Sequence, residues 1–270
     1  MDYKIIIPSY QRSQIINLKT LKVLQEQKIP SRRIFIFVAN QTEKKLYLKN
    51  TPKKLHSQII VGRKGLSNQR NFITTYFNEG DFLIQMDDDI SQIWELENIS
   101  GNYDIKKDNK LVPIKNLDLF LKKTYKLMVS NKIYLFGVYP VDNPYFMTNK
   151  FTTDLRFIVG PFWGVINRHL PSLTINLDEK EDVLRTLLYY HEDKTVLRFN
   201  NITITTPYYT EKGGMQTESK DRRLESLKSA QTLVSRFPEY CHLKPKKKKN
   251  GHTEVILKDK TLLIKNKKKP

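Results

Sequence analysis

The chain has 270 residues, 39% of them hydrophobic, and carries a formal charge of +19 from 47 Lys and Arg against 28 Asp and Glu. That size and composition support a full α/β core and exclude a disordered chain. The single cysteine, Cys241, excludes an intrachain disulfide and a cysteine-built zinc cage. No apolar run approaches the ~18 residues of a membrane span, and Met1-Asp2-Tyr3-Lys4 runs into an apolar strand without a leader pattern, so a cytoplasmic protein is expected. The charge points to a polyanionic partner, nucleic acid ahead of membrane, because no basic helix with a bulky apolar face stands out. A Lys-rich surface that only solubilises the chain is the alternative.

In chain order, Ile5-Ile6-Ile7 is a β-branched run closed by Pro8 and predicts a buried strand. Ser13 is an N-cap candidate for a helix with Ile15, Leu18, Leu21 and Leu24 on one face. Residues 34–39 predict a second strand, a Lys-rich helix follows from Thr42, and residues 58–61 predict a third strand. Ser67 is placed to cap a helix carrying Phe72, Ile73 and Tyr76, and Phe82-Leu83-Ile84 forms a fourth strand that ends at Asp87-Asp88-Asp89. Strands alternating with helices predict an α/β fold: a Rossmann-like, mostly parallel sheet with helices on both faces and a smaller C-terminal portion.

Residues 97–110 are polar and read as an insertion or mobile loop. Helix is predicted over 116–129, strands over 134–138 and 157–159, and an amphipathic helix over 178–190 with Val183, Leu184, Leu187 and Leu188 inward. Residues 195–206 read as extended, and 221–237 as a helix stopped by Pro238. The end is basic: Lys246 to Lys249, a hairpin around Lys258-Asp259-Lys260, and Lys267 to Lys269. No repeat or second core demands a boundary, so one domain is expected, with residues 1–95 as the ligand-binding half, 111–243 as the second half and 244–270 as a basic extension.

An open parallel sheet places its ligand outside the carboxyl ends of its strands, where Asp87, Asp88 and Asp89 sit. Adjacent carboxylates repel unless a cation compensates them, and hard ions such as Mn²⁺ or Mg²⁺ take oxygen ligands and bridge to diphosphates. Strand alternation sends Asp87 and Asp89 the same way, which makes both metal-ligand candidates at one site. A solvated acidic turn is the alternative.

Gly65-Leu66-Ser67-Asn68-Gln69-Arg70-Asn71, followed by Gly80-Asp81-Phe82-Leu83-Ile84-Gln85-Met86-Asp87-Asp88-Asp89, resembles the stretch of GT-A glycosyltransferases in which a Gly-x-x-x-x-Arg-Asn helix start precedes the metal-binding strand end. The opening Ile5 to Arg12 and the strand end Phe37-Val38-Ala39-Asn40 resemble that fold's first two nucleotide-contacting turns. The resemblance covers roughly the first 90 residues in order. It implies a GT-A fold, a nucleotide-sugar donor such as a UDP-sugar, a Mn²⁺ or Mg²⁺ cofactor, and residues 1–95 as the donor-binding half. Donor contacts then fall on Pro8, Tyr10, Arg12, Asn40, Gly65, Asn68, Arg70, Asp87 and Asp88. Tyr10 borders a base, Asn40 offers its amide where the family more often has Asp, and Arg12, Arg63 and Arg70 pair with phosphate. The helix N-terminus near Ser67 adds donors.

The run Asp178-Glu179-Lys180-Glu181-Asp182 resembles the Glu-Asp pair at a helix start that faces the acceptor in such enzymes, so Glu181 or Asp182 is the expected base; acidic residues also suit any first helical turn. Gly160-Pro161-Phe162-Trp163-Gly164 suits a tight loop against a planar or sugar ligand, with Trp163 and Gly164 as acceptor contacts, or a buried turn. Gly213 and Gly214 fall near the expected return to the site as further acceptor contacts. GT-A enzymes often add a C-terminal His to the metal, which makes His242 or His252 a candidate against a surface role.

Gly213-Gly214-Met215-Gln216, the Asp triplet and the charge together resemble the TET-associated glycosyltransferases of phages and large DNA viruses. That resemblance implies a hydroxymethylated pyrimidine in DNA as acceptor and a host cytoplasm as location. Lys244 to Lys249 and Arg222, Arg223, Lys228 and Arg236 are then phosphate contacts, or else a solvated tail and helix face. A protein, glycan or lipid acceptor, and a non-catalytic nucleic-acid-binding module, are the competing expectations.

Overall fold

A computed structural model of the chain describes residues 2–102, 104–207, 213–214, 222–244 and 253–258. In chain order the elements are β1 (Tyr3–Pro8), α1 (Ile15–Leu18), α2 (Thr20–Glu26), β2 (Ile34–Val38), α3 (Gln41–Asn50), β3 (Gln58–Val61), α4 (Leu66–Tyr76) and β4 (Phe82–Met86). They continue as β5 (Gln92–Asn98), β6 (Asn109–Pro113), α5 (Leu117–Asn131), β7 (Leu135–Tyr139), β8 (Phe151–Thr152), β9 (Phe162–Ile166), α6 (Glu181–Asp193), β10 (Leu197–Thr205), α7 (Arg222–Arg236), β11 (Cys241–Leu243) and β12 (Val255–Leu257).

Among the described residues one ten-stranded sheet runs β3-β2-β1-β4-β9-β7-β10-β5-β6, with β8 on β10. The strands β3, β2, β1 and β4 are parallel to one another, and β9 then runs antiparallel to both β4 and β7. The first four strands read as continuous apolar runs because both their faces are covered. Ile5, Ile7, Ile36 and Ile84 face Leu21, Leu24, Leu117 and Leu121, so α2 and α5 cover one side. Ile6, Phe37 and Leu83 face Ile73, Leu187 and Leu233, which puts α4, α6 and α7 on the other.

Three local expectations differ. The helix expected from Ser13 breaks at Lys19 (φ −119°, ψ −97°), which leaves Leu18 exposed and turns Thr20 inward. The polar stretch 97–110 is the end of a hairpin, where Glu97 pairs with Lys110 across β5 and β6 and their side chains meet at 3.0 Å. Residues 157–159 form no strand, and the Ile158 N–H donates to Thr186 Oγ1. The strand lies at β9 instead, where a Cβ on Gly164 would stand 2.3 Å from the Phe136 ring and 2.9 Å from the Leu83 carbonyl oxygen. Glycine there is what lets β9 lie between β4 and β7. The proposed hairpin tip at Asp259 and Lys260 lies outside the described residues; β11 and β12 pair ahead of it.

Candidate active site

The acidic triplet follows β4 as a turn, not as strand, so side-chain alternation does not apply to it. Thr20, freed by the helix break, holds the turn from both ends: its hydroxyl donates to the Asp87 carbonyl at 2.6 Å and accepts the Ile90 N–H at 3.0 Å. The Asp87 N–H donates to the Pro161 carbonyl at 2.9 Å.

The carboxylates are sorted by their partners. Arg12 Nη1 lies 2.9 Å from both Asp88 Oδ1 and Asp89 Oδ2. Ser9 donates to Asp88 Oδ2, and Thr206 donates to Asp89 Oδ1 at 2.6 Å. Asp87 stands apart, on Arg70 Nη2 at 3.0 Å, and its side chain is 35% exposed against 5% and 10% for Asp88 and Asp89. Arg70 also donates to Gln85 Oε1 at 2.6 Å. Asp88 and Asp89 thus share one guanidinium and Asp87 takes another, all at the same turn. Burial pushes Asp87 up to about 7, with Arg70 opposing and Asp89 and Asp88 adding, and pushes Asp88 up to about 6 against the pull of Arg12.

All three carboxylates line one cavity of about 970 Å³, together with Pro8, Tyr10, Arg12, Arg63, Gly65, Arg70, Asp182 and Gly214. Lys64 Nζ sits 5.9 Å from the centre of the Tyr10 ring. The Tyr10–Arg12 turn is braced by Tyr47, whose hydroxyl accepts the Arg12 N–H at 3.0 Å, and by Glu43, which accepts the Gln11 N–H at 2.8 Å. Gly213 (φ +88°) seats against that same turn: a Cβ there would lie 2.9 Å from Arg12 Cγ, and the Gly214 N–H donates to the Tyr10 carbonyl at 2.9 Å. The paired glycines thus pack on the Tyr10–Arg12 turn, with Gly214 in the wall of the main cavity.

Asn40 and Asn68 are outside the cavity wall. Asn40 is exposed and caps α3 by accepting the Glu43 N–H at 2.9 Å, while Asn68 is exposed and bonds the Lys64 carbonyl. Asn71 clasps the Ile175 backbone in both directions, at 2.7 and 2.9 Å. Gly65 (φ +90°), not Ser67, occupies the N-cap of α4. The carboxylate that meets this helix start comes from Asp178, whose Oδ1 accepts the Ser67 N–H at 2.8 Å. The acidic run before α6 therefore has a second use, anchoring α4, that helical periodicity does not reveal.

At the start of α6 the two base candidates separate. Glu181 is buried, with Oε2 2.6 Å from Arg185 Nη1 and Oε1 3.6 Å from Arg70 Nε. Asp182 lines the cavity and accepts only the N–H of Val183, at 2.9 Å. A Cβ on Gly160 would stand 3.5 Å from Asp182 Oδ2, so that glycine keeps the carboxylate uncovered. Burial, then the charge of Glu181, pushes Asp182 up to about 6.

Two further expectations are corrected. Trp163 is 3% exposed and stacks on Arg185 at 3.7 Å, walling a smaller cavity behind the site, and Gly164 is buried inside the sheet, so neither reaches an acceptor. Only the Gly160-Pro161 part of that motif reaches the main cavity. His242 stands on β11 opposite Ile256, away from the cavity wall, and His252 lies outside the described residues. Among the described residues no cluster of three His, Cys, Asp or Glu side chains is arranged to hold a metal, and no helix is long and apolar enough to cross a membrane.

No protein-family model matches this chain, and no curated protein matches its sequence. Solved structures do match its fold. S. aureus TarS 1–349 in complex with UDP-GlcNAc aligns with a TM-score of 0.56 at 15% identity, over 88% of this chain and 67% of that one. A second structure of TarS 1–349 aligns at 0.51 and 14% identity over 76% of this chain, and a longer TarS chain at 0.50 and 14% over 88%. The alignments span 59% and 44% of those two TarS chains. At such identities the likeness is one of fold: a large central α/β sheet with flanking helices, the GT-A architecture.

Proposed function

We propose that this chain is a glycosyltransferase that moves a sugar from a nucleotide-sugar donor, of the UDP-sugar kind bound by TarS, to a hydroxyl of an acceptor. The observation that carries the reading is one cavity lined both by the acidic turn after β4 and by Asp182 at the head of α6. Pro8, Tyr10 and Arg63 border the nucleotide end. The donor set of the turn, hard carboxylate oxygens lining one cavity, fits Mn²⁺ or Mg²⁺, with the donor diphosphate completing the shell. Asp87 and Asp89 would hold the ion, Asp87 being the most open of the three. When bound, it supplies positive charge for the departing diphosphate. Arg12 and Arg70, already seated on these carboxylates, hold them in place and add cationic charge at the leaving group. Asp182, raised but deprotonated at neutral pH, takes the acceptor proton, while Glu181 is committed to Arg185 and Arg70.

The +19 charge favours a polyanionic acceptor, and the resemblance of the Gly213 to Gln216 run to TET-associated glycosyltransferases narrows it to DNA carrying hydroxymethylated pyrimidines. Arg223 and Lys228 on α7 and Lys244 before β12 are candidate backbone contacts, although Lys228 and Lys244 are also paired with Glu225 and Glu254. The decisive experiment is mass spectrometry of nucleosides from hydroxymethylated and unmodified DNA incubated with the protein, Mn²⁺ and a panel of nucleotide sugars. A hexose-sized or N-acetylhexosamine-sized gain on the modified base alone is the expected result, abolished by Asp89→Ala and by Asp87→Ala in folded protein. Donor hydrolysis without that gain redirects the acceptor to a protein, glycan or lipid. Absence of both signals removes the transferase reading.

A further inference from the structure

Arg198 is the second residue of β10, in register with Gly137 of β7 and Thr152 of β8, and with Arg156 it lines the same cavity as Asp182 and Gly160. Its side chain is treated differently from the other arginines the fold encloses. Arg12 has Asp88 and Asp89, Arg33 has Asp2 and Asp118, Arg70 has Asp87, Arg168 has Asp193, and Arg185 has Glu181. Arg198 has no carboxylate among the described residues within the 4.0 Å of an ion pair. Its Nε donates to Asn200 Oδ1 at 2.8 Å and its guanidinium lies 5.2 Å from the centre of the Tyr139 ring. The neighbouring carboxylate, Asp154, is bound by Arg156 at 3.1 Å.

This arrangement is costly for the protein alone. Burial first and then the charge of Arg156 lower Arg198 to about 10, with Tyr139 and Asp154 opposing. A guanidinium held in a half-buried wall beside a second guanidinium, with Nε fixed and its outer nitrogens uncommitted, is a fork oriented for an oxyanion. Asn200 and Tyr139 set the plane of that fork, and the site gains its counter-charge only when a ligand brings one.

We propose that Arg198 is an acceptor subsite for a phosphate group: the acceptor presents phosphate oxygens to the outer nitrogens of Arg198 while its hydroxyl lies at Asp182. The assignment rests on the transferase reading for the role of Asp182, but the phosphate site itself does not. A phosphodiester of a polynucleotide and a phosphomonoester of a small acceptor offer the same chemistry.

The test is calorimetric titration of inorganic phosphate, and separately of thymidylyl-thymidine, into protein saturated with UDP and Mn²⁺, so that the donor end is filled. Wild type is expected to bind phosphate, and Arg198→Met to weaken it at least tenfold with the Kd for UDP unchanged. Arg198→Lys, which keeps the charge without the fork, is expected to fall between them and carries the test if Arg198→Met fails to fold. Binding of thymidylyl-thymidine as well as phosphate points to a diester acceptor, and binding of phosphate alone points to a monoester. Absence of phosphate binding to the UDP-loaded protein, equal binding by all variants, or a shift of the UDP Kd in Arg198→Met overturns the proposal. Failure of wild type to bind UDP defeats the nucleotide-sugar reading instead, and the phosphate titration of the unloaded variants still decides the fate of Arg198.

Discussion

The acidic turn after β4 and the acidic head of α6 line one cavity but are compensated in opposite ways. In the turn each carboxylate is matched: Asp88 and Asp89 to Arg12, Ser9 and Thr206, and Asp87 to Arg70. At α6 the matching is unequal, because Glu181 takes both guanidinium partners and Asp182 keeps one backbone N–H. A carboxylate seated on a guanidinium is fixed in place, whereas Asp182, held by one backbone N–H, keeps an oxygen open to the cavity. On the transferase reading, that difference suits the turn to holding charge in place and Asp182 to exchanging a proton.

The widest separation is expected between the two neighbours on α6. Asp182→Asn should lower kcat/KM by ~10²–10⁴, the range for loss of a general base. Glu181→Gln should instead destabilise the fold by about 3–5 kcal/mol, since it strands Arg185 in the interior. Steady-state kinetics beside urea unfolding measures both, and equal loss of activity with no loss of stability in the two variants breaks the distinction.

A smaller effect separates them by pH. Because Asp182 is raised from the ordinary carboxylate range to about 6, activity should climb up to tenfold per unit as pH rises toward 6 and level off above it. The same shift has a stability sign. The folded protein holds the proton more tightly than the unfolded chain, so stability falls as pH rises from about 4 to above 6. Asp182→Asn should therefore melt a few degrees higher than wild type at pH 8, and at the same temperature near pH 3. A flat activity profile between pH 5 and 7 would show that Asp182 does not titrate in the reaction.

The smallest effect concerns the turn. Thr20→Val keeps the shape of the side chain but leaves the buried Ile90 N–H without its acceptor and the Asp87 carbonyl without its donor. A loss of about 1–3 kcal/mol is expected in urea unfolding, with a raised KM for the donor. Unchanged stability would show that the turn is held by its carboxylate partners alone.

The first four strands and the acidic triplet were legible because a strand covered on both faces and followed by a helix leaves a local signature. Ile5 to Ile7 and Phe82 to Ile84 show it without reference to distant residues. Gly164 shows the limit. A glycine beside aromatics reads as a loop, and only the approach of Phe136 and the Leu83 backbone reveals a central strand. The cap of α4 was illegible for a related reason, since Ser67 is the local candidate while Asp178 arrives from 111 residues away. Asn40 and Asn68 show motif positions that serve helix geometry instead of the cavity. Arg198 carried no motif, and only its lack of a carboxylate, seen in three dimensions, distinguishes it.

The seating of Gly213 on the Tyr10–Arg12 turn bears on how the protein is made. Arg12 meets the Gly213 carbonyl at 3.4 Å across 201 residues of sequence, and Asp89 meets Thr206 across 117. Synthesis proceeds from the N-terminus at about 5–20 residues per second, so β1 to β4 emerge from the ribosome well before either partner exists. During that interval the triplet lacks Thr206 and the Tyr10–Arg12 turn lacks its glycine seat. The cavity wall is therefore completed late in translation, and a chain arrested before Thr206 would carry β1 to β4 and the acidic turn without the contacts that finish them.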